Sequence, residues 1–525
     1  MQTARPQGEF EPLLRALKPI ERPSVPETSR IRVHAAVSRF SVLYERIRNA
    51  VDYKDDHLLR KAAILRILKR QTVLERDPAI IADQLVRELI GAKYLPNDEL
   101  DERLILTAGE TVRKLLVIQK TRLGSSKHIE WLRGVIAVEL EDILSDGTPE
   151  KLLTTFLYEK LAEKMRVVGS SLTVSDIRLQ VYIAIHRTFL KADDHTVSYK
   201  LIRAFLPEWM RPQDWIDQPQ AMAERLLGIE RRIRLAMDMT ETAAIQRAVR
   251  PWSVSLRTLF SGLREKPTEA QTILAKPEQL DELITKIANR QYLEAKGRLR
   301  RGALRAMVYL FATKMFVALV LEVPLELLWY KEVFIPALLV NLLFPPVLMF
   351  IVSLFIRVPD KDNTKKIISQ VRSLTGHEAM PWIDVRFGQG ARSSASEWLF
   401  RGVYAATFAL IFGCIVWLLE LVSFTWISTA LFLFFLCVVS FFAFRLRLTA
   451  REYVVLPPAQ RASTAMLDFI SLPILRAGQW LSMGISRINV FLFFFDFLFE
   501  APFKIFLSVL EEWLQFMKEK KEELQ

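Results

Sequence analysis

The chain has 525 residues, 51% of them hydrophobic, and a formal charge of +13. Its two cysteines, Cys414 and Cys437, both inside apolar runs, exclude a disulfide scaffold and a cysteine-ligated zinc centre. The cations cluster beside apolar runs, as in KGRLRRGALR (296–305), with no zinc-finger spacing and no RNP-like aromatic motif, which weighs against nucleic acid and favours anionic lipid headgroups.

Residues 1–30 hold five prolines and no apolar h-region, so they read as a flexible Pro-rich arm without a cleavable signal peptide. From 31 to 300 charges recur every few positions, as in a water-facing protein. DPAIIADQLVRELIG (77–91) and GTPEKLLTTFLYEKLAEKM (147–165) space their apolar residues near 3.6, and Asp77–Pro78 and Thr148–Pro149 make helix starts. No alternating strand pattern is found. LGSSK (123–127), VVGSSLT (167–173) and RPQDWIDQP (211–219) read as loops.

An internal likeness divides this half into a helical unit A (31–170) and a unit B (171–300) that reads as a repeat of A. LYERIRNAVDYKDDH (43–57) aligns with VYIAIHRTFLKADDH (181–195); Ile64 and Ile202 follow their histidines by equal spacing, as do Leu68 and Leu206. Paired helical units of this kind are a common scaffold for protein contacts. The shared motif makes Asp55, Asp56, His57, Asp193, Asp194 and His195 weak metal candidates. Adjacent residues seldom converge on one ion, so capping of the helix that follows is the favoured reading.

Apolar runs long enough to span a bilayer begin at about 303–323 and 333–356, a membrane hairpin assigned to 301–356. The connection Pro324 to Glu332 reads as a loop, and Pro345–Pro346 as a structural kink in the second run, with a break that frees carbonyls for an ion as the alternative. A connector, 357–397, carries an amphipathic helix at 364–374 expected to dock on the membrane or on the helical half. A second hairpin occupies 398–450, with runs at about 398–422 and 424–444. Its likeness to the first (RAMVY with RGVY, VSLFIR with VSFFAFR) suggests duplication.

Lys and Arg stay on the cytoplasmic side of a membrane. Arg298, Arg300 and Arg301 precede the first run, Arg357 follows the second, and Arg445 and Arg447 follow the fourth, all candidate lipid-headgroup contacts. The two short connections between paired runs hold one Lys in total. Four crossings with both termini cytoplasmic satisfy every flank.

Within the apolar part, Lys314 and Asn341 are intramembrane polar candidates, with Glu322 or Asp496 as the carboxylate partner of Lys314. The tail, 451–525, reads as amphipathic, membrane-associated helices. In FLFFFDFLFEAPFKIF (491–506), Asp496, Glu500 and Lys504 share one narrow polar stripe at four-residue spacing.

The predicted fold is all-α: a polytopic α-helical membrane protein with an N-terminal helical cytoplasmic domain. GSSK lacks the frame of a phosphate-binding loop, and no GxSxG, HExxH or dinucleotide fingerprint occurs, so no cofactor is expected and the lean is away from an enzyme. The expected function is an integral anchor or scaffold of the cell (inner or plasma) membrane. Its cytoplasmic helices would bind a protein partner, its spans would contact lipid, and a homo-oligomer is compatible. The alternative is a channel or transporter whose path is lined by Lys314, Asn341, Asp496, Glu500 and Lys504.

Overall fold

The computed structural model describes residues 10–18, 26, 29–33, 42, 56–145, 148–332, 334–354, 361–386, 394–450, 453–456, 469, 471–481, 509, 513 and 517. Among the described residues the fold is all-α apart from one pair of short strands. Two compact units separate among the described residues. The first takes those of Met1–Ser253, Met380–Phe387 and Phe495–Gln525, and the second those of Val254–Ala379 and Gly388–Phe494.

In the first unit, α1 (Glu11–Leu17) is a short helix inside the Pro-rich arm. Its proline falls in the first turn, where no amide hydrogen is needed, and Glu11 pairs with Arg15 one turn on. Leu13 and Ala16 are buried, so apolar contact holds it as well. The core is built from α2 (Asp56–Leu74), α3 (Pro78–Gly91), α4 (Arg103–Lys120), α5 (Ser126–Leu144), α6 (Thr148–Ala162), α7 (Val174–Phe189), α8 (Asp194–Phe205) and α9 (Pro219–Met237). Ile64, Leu68, Leu85, Leu115, Ile136, Ile202 and Leu226 lie at its centre. Helix starts follow the capping chemistry of the sequence. Asp77 accepts from the Ala79 amide at 2.8 Å, with Pro78 leading α3. Thr173 and Asp176 form a reciprocal capping box at the start of α7.

The expectation of no strands is corrected. Met165–Val168 (β1) pairs in parallel with Ile383–Arg386 (β2), Met165 opposite Ile383 and Val168 opposite Arg386. Thus 167–168, read as loop, are the end of a strand. Trp382 is held between Lys164 and Arg166, the guanidinium carbon 3.4 Å from the ring centroid.

Helix α10 (Thr242–Glu265) carries the chain onward, followed by α11 (Ala270–Ala275). In the second unit one rod, Pro277–Tyr330, runs as α12 (Pro277–Val317), a π turn (Ala318–Glu322) and α13 (Val323–Tyr330). The segment 324–330, read as part of the connection between the first two apolar runs, is helix. Proline removes the amide that would bond the residue 320 carbonyl, and its ring crowds that group. The wider i→i+5 winding just before it relieves the conflict without ending the helix. The rod ends at Lys331, in the left-handed region at φ 56.

Helix α14 (Ile335–Leu354) contains both Pro345 and Pro346 and continues through them. Helices α15 (Lys361–Leu374), α16 (Ser394–Glu420) and α17 (Trp426–Ala450) complete the unit with helical residues 471–481. Among the described residues three helices are long and apolar enough to cross a membrane, in Pro277–Tyr330, Arg401–Glu420 and Trp426–Phe444; Ile335–Ile351 is a shorter apolar stretch.

Small residues let the apolar helices approach. Ala303, Ala306 and Ala443 pack with Leu310, Met349 and Val439. A Cβ on Gly478 would come 2.1 Å from the Cys437 carbonyl oxygen, so only glycine fits there. The amphipathic connector helix, expected at 364–374, is α15. Arg372 binds the Asp281 carboxylate through both Nε (3.0 Å) and Nη2. Asn363 takes the Val455 amide at 2.7 Å and donates to the Tyr292 hydroxyl at 2.8 Å.

Candidate functional site

The second unit buries a cluster of charged and polar side chains among apolar helices. Lys314 and Glu322 are wholly buried, Glu326 is 1% exposed, and Asn341 and Ser428 are wholly buried. On an uninterrupted α-helix Glu322 would sit about 80° around from Lys314. The π turn winds more slowly and returns Glu322, and Glu326 one turn later, to the face of Lys314. Asn341 of α14, Ser428 of α17 and Thr425, the residue just before α17, complete the site.

Lys314 Nζ lies 3.3 Å from Glu322 Oε2 and 4.6 Å from the Phe435 ring centroid. Asn341 Nδ2 donates to Glu322 Oε1 and lies 3.4 Å from the Ser428 carbonyl oxygen. Ser428 Oγ is 2.7 Å from Glu322 Oε1 and 2.7 Å from Glu326 Oε1, and Thr425 Oγ1 is 2.9 Å from Glu326 Oε1. Two buried atoms have no protein partner, Glu326 Oε2 and Asn341 Oδ1. Such a group costs about 1–3 kcal/mol unless something fills the valence.

Of the residues singled out from sequence, Lys314 and Asn341 therefore meet, through Glu322. Asp496, Glu500 and Lys504 lie outside the described residues. Glu326, Thr425 and Ser428 were not singled out. Glu326 fell in the segment read as loop, although its four-residue spacing from Glu322 was a usable signal. Thr425 and Ser428 open α17 and carry no charge to mark them. Among the headgroup candidates, Arg298, Arg300 and Arg301 are exposed, and Arg298 also lies 3.8 Å from Glu294. Arg445 and Arg447 are in the last turns of α17, and Arg357 lies outside the described residues.

Asp55 also lies outside them, and Asp56 and His57 open α2. Asp193 is the N-cap of α8, accepting from the Thr196 amide at 3.0 Å, and also binds Lys61. Asp194 pairs with Arg187 at 2.8 Å. The His195 ring lies against Gly134, where a Cβ would come within 2.3 Å of it. Among the described residues no group of three or more His, Cys, Asp or Glu could hold a metal ion.

The first unit has buried charges of its own. Lys114 binds Glu139 Oε1, and the Trp209 indole donates to Glu139 Oε2 at 2.9 Å. Burial, helped by Lys200, pushes the His186 imidazole down to about 4. Burial opposes the charged Asp142 carboxylate, but Lys200 (3.2 Å) and Lys151 (3.0 Å) outweigh it and hold the group below its ordinary range. No protein-family model, curated protein or solved structure matches this chain.

Proposed function

We propose that this chain is an integral protein of the cell membrane that anchors a cytoplasmic helical docking platform. The carrying observation is the inverted polarity of the second unit. It turns Lys314, Glu322, Glu326 and Asn341 inward, while Leu319, Val320, Leu328, Val403, Leu410 and Trp417 face outward. In water that arrangement would be costly; in lipid it is the expected one. The 20 residues of α14 reach about 30 Å, enough for a fourth crossing.

The ends of the rods support one orientation. Arg298, Arg300 and Arg301 stand at one end. Trp329 lies some 40 Å further along the rod and packs against Trp426 in a tilted arrangement, with ring centroids 5.0 Å apart. Basic residues on the cytoplasmic side and paired tryptophans at the opposite interface fit four crossings with both termini inside. The close seating of Lys314 between Glu322 and Phe435 favours an anchor over an open path.

The partner-binding role rests on apolar side chains left exposed by the first unit. Val73, Leu74 and Ile80 flank the turn from α2 to α3, and Leu106 lies one turn before Gly109, which packs on Pro78 and Ala79. Two experiments on the full chain test the reading. With Cys414 and Cys437 replaced by Ala, single cysteines at Lys331 and Ser423 are expected to react with an impermeant thiol reagent from outside intact cells. A photo-crosslinker at Ile80 or Leu106 is expected to trap a discrete partner that the same group at exposed Glu110 does not. Labelling from the cytosol overturns the orientation, and equal, diffuse adducts at all three positions overturn the docking role.

A further inference from the structure

The polar cluster of the second unit contains one oxygen–oxygen contact more than its fixed hydrogens can serve. Ser428 Oγ makes two contacts of 2.7 Å, to Glu322 Oε1 and to Glu326 Oε1. Both are hydrogen-bond lengths, yet a hydroxyl has one proton to give and an ionised carboxylate has none. Thr425 cannot supply the missing proton to Ser428. Its oxygen already accepts the Ser428 amide at 3.2 Å, and its own hydrogen goes to Glu326 Oε1.

Charge leads to the same place. Glu322 is fully served as an anion: Oε1 accepts from Asn341 and Ser428, and Oε2 faces Lys314. Glu326 is the second carboxyl against a single ammonium, and an unbalanced charge wholly out of water is costly. One added proton removes both faults. Carried on Glu326 Oε1, it bonds to Ser428 Oγ, whose own hydrogen is then directed to Glu322. Glu326 Oε2 becomes the carbonyl oxygen of a neutral acid, which tolerates having no partner far better than a carboxylate oxygen does. The charged and titratable groups facing the bridge are Lys314 and the two glutamates, all on the Pro277–Tyr330 rod. Helix α14 presents Asn341 to it, and α17 with the residue before it presents Thr425, Ser428 and Phe435, among the described residues.

We propose that Glu322, Ser428 and Glu326 form a proton-binding site, in which one proton beyond the hydroxyl hydrogens is shared between Glu326 Oε1 and Ser428 Oγ. The hydrogen count does not depend on what surrounds the helices, and the site stands or falls separately from the anchor reading.

The test is infrared spectroscopy of the full chain in lipid nanodiscs at neutral pH, in ordinary and heavy water. The wild type is expected to show a protonated-carboxyl stretch that shifts in heavy water. Glu326→Gln, which imitates the neutral acid, is expected to lose that band and keep the wild-type melting temperature. Glu322→Gln, which strands Lys314, is expected to lower it. Should Glu326→Gln not fold, Thr425→Val removes only the hydroxyl on Glu326 Oε1 and is expected to shift the same band. A wild type without the band, or a band indifferent to both the Glu326 and Thr425 changes, overturns the proposal. So does a band abolished by replacing choline chloride with sodium chloride at constant pH, which would make the occupant a metal cation.

Discussion

Each unit of this protein buries a lysine–glutamate pair under an aromatic face, and the two pairs end differently. In the first unit, Lys114 binds Glu139 with its ammonium 5.1 Å from the Trp209 ring centroid. In the apolar unit, Lys314 faces Glu322 with its ammonium 4.6 Å from that of Phe435. Glu139 uses both oxygens, one on Lys114 and one on the Trp209 indole, and the set is complete. Glu322 instead shares Ser428 with a second carboxyl that has an oxygen to spare. A buried charge by itself therefore marks no working site, because a closed pair is a structural device. Leftover hydrogen-bonding capacity in the same surroundings distinguishes the second.

The largest effect that sharpens this contrast is Glu139→Ala in the full chain. It leaves Lys114 charged and unpaired in a sealed core, an expected loss of about 3–5 kcal/mol, read by thermal or denaturant unfolding of the first unit. A loss below about 1 kcal/mol would mean that water reaches the pair and that it is not closed.

Next in size is a pH effect confined to the first unit. His186 is 4% exposed, and burial lowers it from an ordinary 6.5 to about 4. Between those values the unfolded chain binds a proton that the folded chain does not, so stability rises with pH. The contribution is complete above about pH 6.5 and is lost as pH falls through 4, up to about 3 kcal/mol in all. Melting curves across that window are expected to show the slope, and His186→Gln to flatten it.

Much of this architecture was legible because the local signals were strong. Asp77–Pro78 starts a helix in any context, and the amphipathic spacing after Lys361 marks α15. Lys314, Glu322 and Asn341 stand out by charge or polarity in apolar runs. What was not legible depends on partners remote in sequence or on compensation. The four-residue strands at Met165 and Ile383 each lack enough alternation to be seen alone, and they exist through each other. Pro324 reads as a helix end until the π turn before it is known, and with that misreading Glu326 drops out of the site. Ser428, in an apolar helix, and Thr425, just before it, are small uncharged residues whose importance comes only from what they face.

The smallest expected effect tests the contrast most finely. Asn341→Leu removes one donor from Glu322, which keeps Ser428 and Lys314. It also removes Asn341 Oδ1, a buried atom without a partner, so loss and relief offset each other. If the proposed membrane setting holds, hydrogen bonds between helices contribute about 0.6 kcal/mol on average, and the net cost is expected at or below about 1 kcal/mol. Trp209→Phe is the matching change in the first unit. It strips Glu139 Oε2 of the indole donor with no such relief, at an expected cost of about 1–3 kcal/mol. Unfolding measured on both variants decides the ordering. If Asn341→Leu proves the costlier, the apolar cluster is as closed as its counterpart, and its spare oxygens are part of a lock rather than room for a proton.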